Sequence, residues 1–176
     1  MQPKKKGNTY FFLTLSSTQD KTWELASLGA PAGTLVISRT QTTGRGRQGR
    51  VWHSPVGGLW FSLLLFPVVP ETVNQISLLA AQALASAIKK SAGLKTRLNL
   101  PNDLYYEDKK LAGIILEVKD EKAVLGVGLN VNCRTELFPL SIPAISLKDV
   151  LNHRASRSAI LRSFLICFQR ATGISS

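Results

Sequence analysis

Thr42-Thr43-Gly44-Arg45-Gly46-Arg47-Gln48-Gly49-Arg50-Val51-Trp52-His53-Ser54-Pro55 is the stretch on which the reading of this chain turns. Glycines and arginines alternate, so the backbone can come close to a ligand while planar, permanently charged guanidinium groups face it. No Asp or Glu occurs from Leu25 through Pro70, so no neighbour in sequence neutralises Arg39, Arg45, Arg47 or Arg50. Such a loop wants an anion. Residues 42–50 carry no apolar side chain to bury, and the loop is expected to be mobile until that anion arrives. A flexible basic surface loop or an arginine–glycine RNA-binding segment fits the same residues, and the stretch alone does not choose among these readings.

Working outward, Gly33 to Arg39 reads as a short buried strand running into the loop, and Gly57 to Phe66 as a Leu-rich strand leaving it, buried on both faces. Upstream, Tyr10 to Leu15 is aromatic and β-prone and follows a basic, frayed terminus. Ser17 offers an N-cap with Asp20 three residues on, and a helix over Thr18 to Leu28 stops at Gly29. Downstream, Pro70-Glu71 opens the clearest helix. Its apolar positions Val73, Ile76, Ala80, Ala83, Leu84, Ala87 and Ile88 follow helical spacing, Lys89 and Lys90 occupy the last turn, and Gly93 ends it. Leu94 to Leu98, Leu104 to Tyr106, Leu111 to Val118 and Ala123 to Val131 read as consecutive strands, with polar turns at Glu107-Asp108-Lys109 and Lys119-Asp120-Glu121-Lys122. Arg157 to Ala171 reads as a closing amphipathic helix. Strands mixed with segregated helices, without strict βαβ alternation, predict an α+β fold.

Composition narrows the class. A chain of 176 residues with 44% hydrophobic and 19% charged content is one globular domain by length. The net charge of +11 favours acidic partners, whether nucleotide, nucleic acid or an acidic protein. Two cysteines, Cys133 and Cys167, have no second ligand at metal spacing, so inert thiols in a cytoplasmic protein are expected. Lys4-Lys5-Lys6 before Tyr10-Phe11-Phe12-Leu13 mimics a signal peptide, but the apolar run is too short and lacks a cleavage site. The longest apolar run, Leu59 to Val69, cannot span a bilayer.

Three blocks, taken together, resemble biotin–protein ligases. Thr43-Gly44-Arg45-Gly46-Arg47-x-Gly49-Arg50-x-Trp52-x-Ser54-Pro55 resembles that family's signature loop. Pro101-Asn102-Asp103-Leu104-Tyr105 with Lys110-Leu111-Ala112-Gly113-Ile114-Ile115-Leu116-Glu117 resembles its second signature, and Gly126-Val127-Gly128-Leu129-Asn130-Val131-Asn132 its glycine–asparagine strand end. They stand in family order between Ser16 and Asn132. The resemblance implies a mixed sheet flanked by helices, related to the class II aminoacyl-tRNA synthetase core. It implies biotin and MgATP as reactants: biotinyl-5′-adenylate forms first, and a lysine of a biotin carboxyl carrier protein or domain then takes the biotinyl group. One catalytic domain over 1–176 is expected, without the N-terminal DNA-binding domain and small C-terminal β-barrel common in bacterial members. Nucleic acid and membrane are not expected partners; a homodimer is left open.

Site residues follow from the same match. Fixed cations stabilise charge where it develops on the α-phosphate, and Arg45, Arg47 and Lys110 match the family's basic positions for the biotin carboxylate and that phosphate. Without the match Lys110 reads as a solvated strand-end lysine, like Lys109. Ser17, Thr18 and Gln19 alone would be a helix cap; they resemble the family's serine–threonine–asparagine biotin motif, with Gln19 in the asparagine place. Gln41 and Gly46 complete the biotin side. On the nucleotide side stand Trp52, expected to stack on adenine, Gly113, expected with Gly128 to let the ligand approach the backbone, and Asn130. Asp103 is expected to orient Lys110 or hold magnesium. His53, His153 and Cys133 form no convincing catalytic triad.

The family's usual basic–Trp pair before Pro-Asn-Asp is replaced by Asn99-Leu100. Either ligand binding weakens or the pocket is rebuilt around Leu98 and Leu100. Competing functions are a lipoate- or octanoyl-transferring relative, a ligase that binds biotin without turnover, and a basic nucleic-acid-binding protein. Against the last, Trp52, Tyr105 and Tyr106 form no aromatic platform interleaved with basic residues.

Overall fold

The computed structural model of the chain describes residues 4–136, 138 and 143–173. Eight strands form one sheet: β1 (Lys4–Lys6), β2 (Thr9–Leu15), β3 (Leu35–Gln41), β4 (Leu59–Leu65), β5 (Arg97–Asn99), β6 (Asp103–Tyr106), β7 (Lys109–Lys119) and β8 (Lys122–Leu129). Their spatial order is β1-β2-β3-β4-β8-β7-β6-β5, antiparallel throughout except for β2 beside β3. That parallel pair needs a crossover, and α1 (Thr18–Ser27) supplies it. Helices α2 (Val73–Ala92), α3 (Leu147–Leu151) and α4 (Arg157–Thr172) complete the fold. This is the expected mixed sheet flanked by helices.

The period of two along each strand divides the molecule. On β4, Phe61, Leu63 and Leu65 join a core with Ala80, Leu84 and Ile88 of α2 and Phe164 and Phe168 of α4. Ile114 of β7 and Leu125, Val127 and Leu129 of β8 lie in the same cluster. The alternate residues face the other way, toward α1, where Leu64 and Val124 pack with Ala26 and Trp23. β4 is buried along its whole length, as its leucine-rich run requires.

Local signals explain the helix ends. Ser17 caps α1 by accepting hydrogen bonds from the Gln19 and Asp20 amides. Gly93 ends α2 with φ of 69°, the left-handed cap that glycine adopts without a steric penalty.

Two expectations need correction, and one helix had none. Lys4–Lys6 is not a frayed terminus but an edge strand paired antiparallel with β2; three lysines carry no apolar alternation, and lysine is a common way of blunting a sheet edge. The strand expected over 94–98 is shorter and shifted, to Arg97–Asn99. Helix α3 was not foreseen, although Ser146 and Asp149 close a full capping box at its start.

Candidate active site

The sheet face toward α1 carries the site, and cross-strand register builds its floor. Trp60, Gly128 and Gly113 stand in one row; Ser62, Gly126 and Ile115 in the next; Leu64, Val124 and Glu117 in the third. Glycine at three of these positions leaves a trough along β7 and β8. A cavity of about 830 Å³ opens over it.

One end of the cavity is neutral and polar. The Thr18 amide and hydroxyl donate to Gln41 Oε1 at 2.7 and 3.0 Å, and Gln41 Nε2 donates to Ser54 Oγ at 2.7 Å. Gln19 is 2% exposed and spans the floor: its Nε2 donates to the Val124 carbonyl at 2.9 Å, and its Oε1 lies 2.8 Å from Ser62 Oγ. A Cβ on Gly126 would stand 2.6 Å from that Oε1, so this glycine makes room for Gln19. Ser17, as the cap, lines the same end.

The arginine loop is not a free arm. Trp52 N–H donates to the Gly44 carbonyl at 2.8 Å and Gly46 N–H to the Arg50 carbonyl at 2.7 Å, which fold residues 44–52 into a small hairpin. Thr42 and Thr43 are tied to the Leu15 and Ser16 carbonyls at its root. Gly44 is fixed by crowding: a Cβ there would lie 2.5 Å from the Trp52 carbonyl oxygen and 2.7 Å from Ser54 Oγ.

The acids missing from the loop's sequence neighbourhood arrive through the fold. Arg45 pairs with Asp20 of α1 and, as a fork, with Glu117 of β7 at 3.1–3.2 Å. Burial works against the Arg45 charge, but the bond to Asp20 and the charges of Glu117 and Asp20 outweigh it and raise its pKa above the ordinary value. Arg47 is exposed and donates to Asn102 Oδ1 at 2.8 Å.

At the far end, Lys110 Nζ donates to Asp103 Oδ2 at 2.6 Å and stands 5.4 Å from the centre of the Trp52 ring. Its backbone is held between the Pro143 carbonyl and the Ile145 amide, with Asn130 Nδ2 3.5 Å from its carbonyl. Trp52 is half-buried over the glycines. A Cβ on Gly113 would come within 3.0 Å of the indole, and one on Gly128 would overlap it. The glycines therefore admit Trp52 itself.

All the residues singled out in the sequence line this one cavity: Ser17, Thr18, Gln19 and Gln41 at the polar end, Arg45, Gly46, Arg47 and Trp52 along the loop, and Asp103, Lys110, Gly113 and Asn130 opposite. Sequence reading passed over Ser62, Asn102 and Glu117. A lone serine in Leu-Trp-Phe-Ser-Leu-Leu-Leu was a signal for the first, because a buried hydroxyl needs a partner. Asn102 and Glu117 sit inside quoted blocks but show their partners only in three dimensions. Leu100 is 70% exposed and lines the cavity.

Residues 11–133 match the model of the "Biotin/lipoate A/B protein ligase family". The bifunctional ligase/repressor BirA of Bacillus subtilis is 41% identical over 165 residues, covering 89% of this chain and 51% of that protein. The biotin--[acetyl-CoA-carboxylase] ligase of Paracoccus denitrificans is 30% identical, covering 88% of this chain and 68% of its own length. The chain thus spans about half the length of the bifunctional relatives it matches. Biotin protein ligase from Aquifex aeolicus, solved in complex with biotin and ATP, superposes with a TM-score of 0.84 at 31% identity, covering 94% of this chain and 70% of that one. On sequence and fold together, the chain belongs to the biotin/lipoate A/B protein ligase family.

Proposed function

We propose that this chain is an ATP-dependent biotin–protein ligase. The observation that carries the reading is one cavity with a neutral hydrogen-bonding end at Thr18, Gln41 and Ser62 and a cationic end at Arg47 and Lys110. A ring with amide-like polarity fits the first end and a carboxylate the second. That polarity is what an acid such as biotin, joined to a nucleotide, presents.

The biotin carboxylate oxygen attacks the α-phosphorus of ATP, the bond to the β-phosphate oxygen breaks, and pyrophosphate leaves. Lys110 and Arg47 are the cations at the end where negative charge develops, and such fixed charge is usually the largest catalytic term. Asp103 holds Lys110 on its target through the 2.6 Å bond. A carrier lysine amine then attacks the acyl carbon of the mixed anhydride, and AMP departs with the electron pair of the broken C–O bond.

Among the described residues no group of three His, Cys, Asp or Glu could hold a metal ion. Magnesium takes one or two carboxylates and fills its shell with phosphate oxygens and water; Lys110 takes Asp103 Oδ2, so Asp103 Oδ1 is the oxygen that would hold it. When bound, it would neutralise charge on the triphosphate. The acceptor is proposed to be a carboxylase carrier domain, whose acidic surface the net charge of +11 would attract. The two cysteines are free thiols, which supports a cytoplasmic site of action. No described helix is long and apolar enough to cross a membrane.

The test is to incubate the chain with ATP, magnesium and a carrier domain, with biotin or lipoate in parallel, and to weigh the carrier. A mass gain of one biotinyl group on one lysine, in the biotin arm only, supports the reading. Gain in the lipoate arm alone would reassign the acid, and no gain in either arm would reject the ligase.

A further inference from the structure

We infer that Glu117 is the positioning residue of the arginine loop: it latches the loop root to the sheet through Arg45, so that Arg45 acts as an anchor and not as an anion ligand. The consequence for the acyl-adenylate rests on the ligase reading above, whereas the latch does not.

Glu117 projects from β7 on the site face, in the row of Leu64 and Val124. Both carboxylate oxygens are committed. Oε1 accepts from Arg45 Nε at 3.2 Å and from a terminal nitrogen at 3.1 Å; Oε2 accepts from that nitrogen at 3.2 Å and from Trp23 Nε1 at 2.9 Å. The second terminal nitrogen of Arg45 is taken by Asp20. One guanidinium therefore ties the loop to a strand and to a helix at once.

Arg45 and Glu117 are each 32% exposed, and the indole donor fixes the carboxylate from a third side. The Arg97–Asp108 pair at 58% and 104% exposure, 3.9 Å apart, shows what an ordinary surface pair looks like in this chain. Forked, partly buried pairs hold geometry as well as charge, unlike single exposed ones.

Charge counting points the same way. Arg45 with Asp20 and Glu117 leaves one net negative charge at this corner, so an incoming anion is directed to Arg47 and Lys110. Farther along, Arg47 is exposed and reaches Asn102 by one hydrogen bond, which is easily exchanged for a phosphate or carboxylate. The loop thus has a fixed root at Gly44-Arg45 and a releasable tip at residues 47–50. A root of this kind lets the tip open for substrates and close again over the mixed anhydride.

The test uses the full chain without ligand, digested briefly with trypsin and mapped by mass. In Glu117→Gln, cleavage after Arg47 and Arg50 should rise about ten-fold, the factor that corresponds to roughly 1.4 kcal/mol of lost closure. Cleavage at Lys4–Lys6 should not change. Arg45→Lys, which keeps charge but loses the fork, should give the same rise, and the double variant should add nothing further. Loop cleavage equal to the unmodified chain, or additive effects of the two substitutions, would overturn the latch. Should Glu117→Gln fail to fold, Arg45→Lys on the loop carries the same comparison.

The turnover arm measures adenylate escape. Glu117→Gln should raise KM for the acid and speed release of the acyl-adenylate several-fold, with kcat of its formation within about two-fold; unchanged escape from a loosened loop would overturn the retention role. An unmodified chain that forms no adenylate would speak against the ligase reading and leave the trypsin result standing.

Discussion

Gly128→Ala tests the placement of Trp52, on which the shape of the site depends. The added methyl would overlap Trp52 Nε1 and stand 2.5 Å from Cε2 and 2.9 Å from Cζ2. The backbone has little room to yield, because β8 is an inner strand paired on both sides at this row, with Trp60 of β4 and Gly113 of β7 in register. The indole must therefore move, although it is hemmed in by Gly113 beneath and by Trp60 at 6.5 Å and 75°. Overpacking of this kind costs about 1–3 kcal/mol. For a chain of this length each kcal/mol lowers Tm by roughly 2–4 °C, which gives a fall of about 2–12 °C. The assay is a double-variant cycle by thermal or urea unfolding. In a Trp52→Ala background the three nearest atoms to the methyl are gone, and Gly128→Ala should cost about 0.5 kcal/mol or less, the usual range for substitutions without a specific clash. A full cost in both backgrounds would show that Trp52 does not lie over Gly128 and would refute the reasoning.

Further outcomes follow from individual residues. Lys110→Ala should slow adenylation by about two to three orders of magnitude while the melting point changes little, the loss typical of one preorganised charge; near-normal pyrophosphate release would remove Lys110 from its role. Gly46 has φ of −100°, and its nearest prospective Cβ contact is the Arg50 carbonyl oxygen at 3.7 Å. Gly46→Ala should therefore be neutral or stabilise by up to about 1 kcal/mol, by restricting the unfolded chain. Burial pushes the Cys133 thiol up to about 12 from 9.0. Iodoacetamide at pH 8 should then modify Cys167 and spare Cys133; ionisation of Cys133 favours the unfolded chain, so its contribution to stability falls only as pH rises above about 9.

Much of the site was legible because its chemistry is local. The Ser17 cap, the Gly–Arg loop and the Pro-Asn-Asp and Gly-Val-Gly-Leu-Asn blocks each occupy one short stretch, and the strands bearing them carry clear β patterns. The pairings were not legible. Arg45 meets Asp20 from 25 residues away and Glu117 from 72, so counting charge along the sequence left Arg45 unneutralised when the fold neutralises it twice. Gln19 was read as a ligand contact by position, and only the register of β4 and β8 shows its amide engaged with Ser62 and Val124. Gly113 and Gly128 promised close approach, which the structure gives to Trp52. Leu100 stands exposed in the cavity lining, a placement the sequence did not show. For Arg45, Gln19 and the two glycines the residue type was right for a class of contact, while the partner came from a distant element of the fold.

The most direct measurement of the central claim needs no carrier. The full chain, biotin, magnesium and ATP labelled at the α-phosphate are mixed, quenched and separated. The account predicts a labelled biotinyl-adenylate that accumulates to about one per chain, requires biotin, and disappears in Lys110→Ala. Label found only in ATP, or in AMP produced at the same rate without biotin, would contradict it.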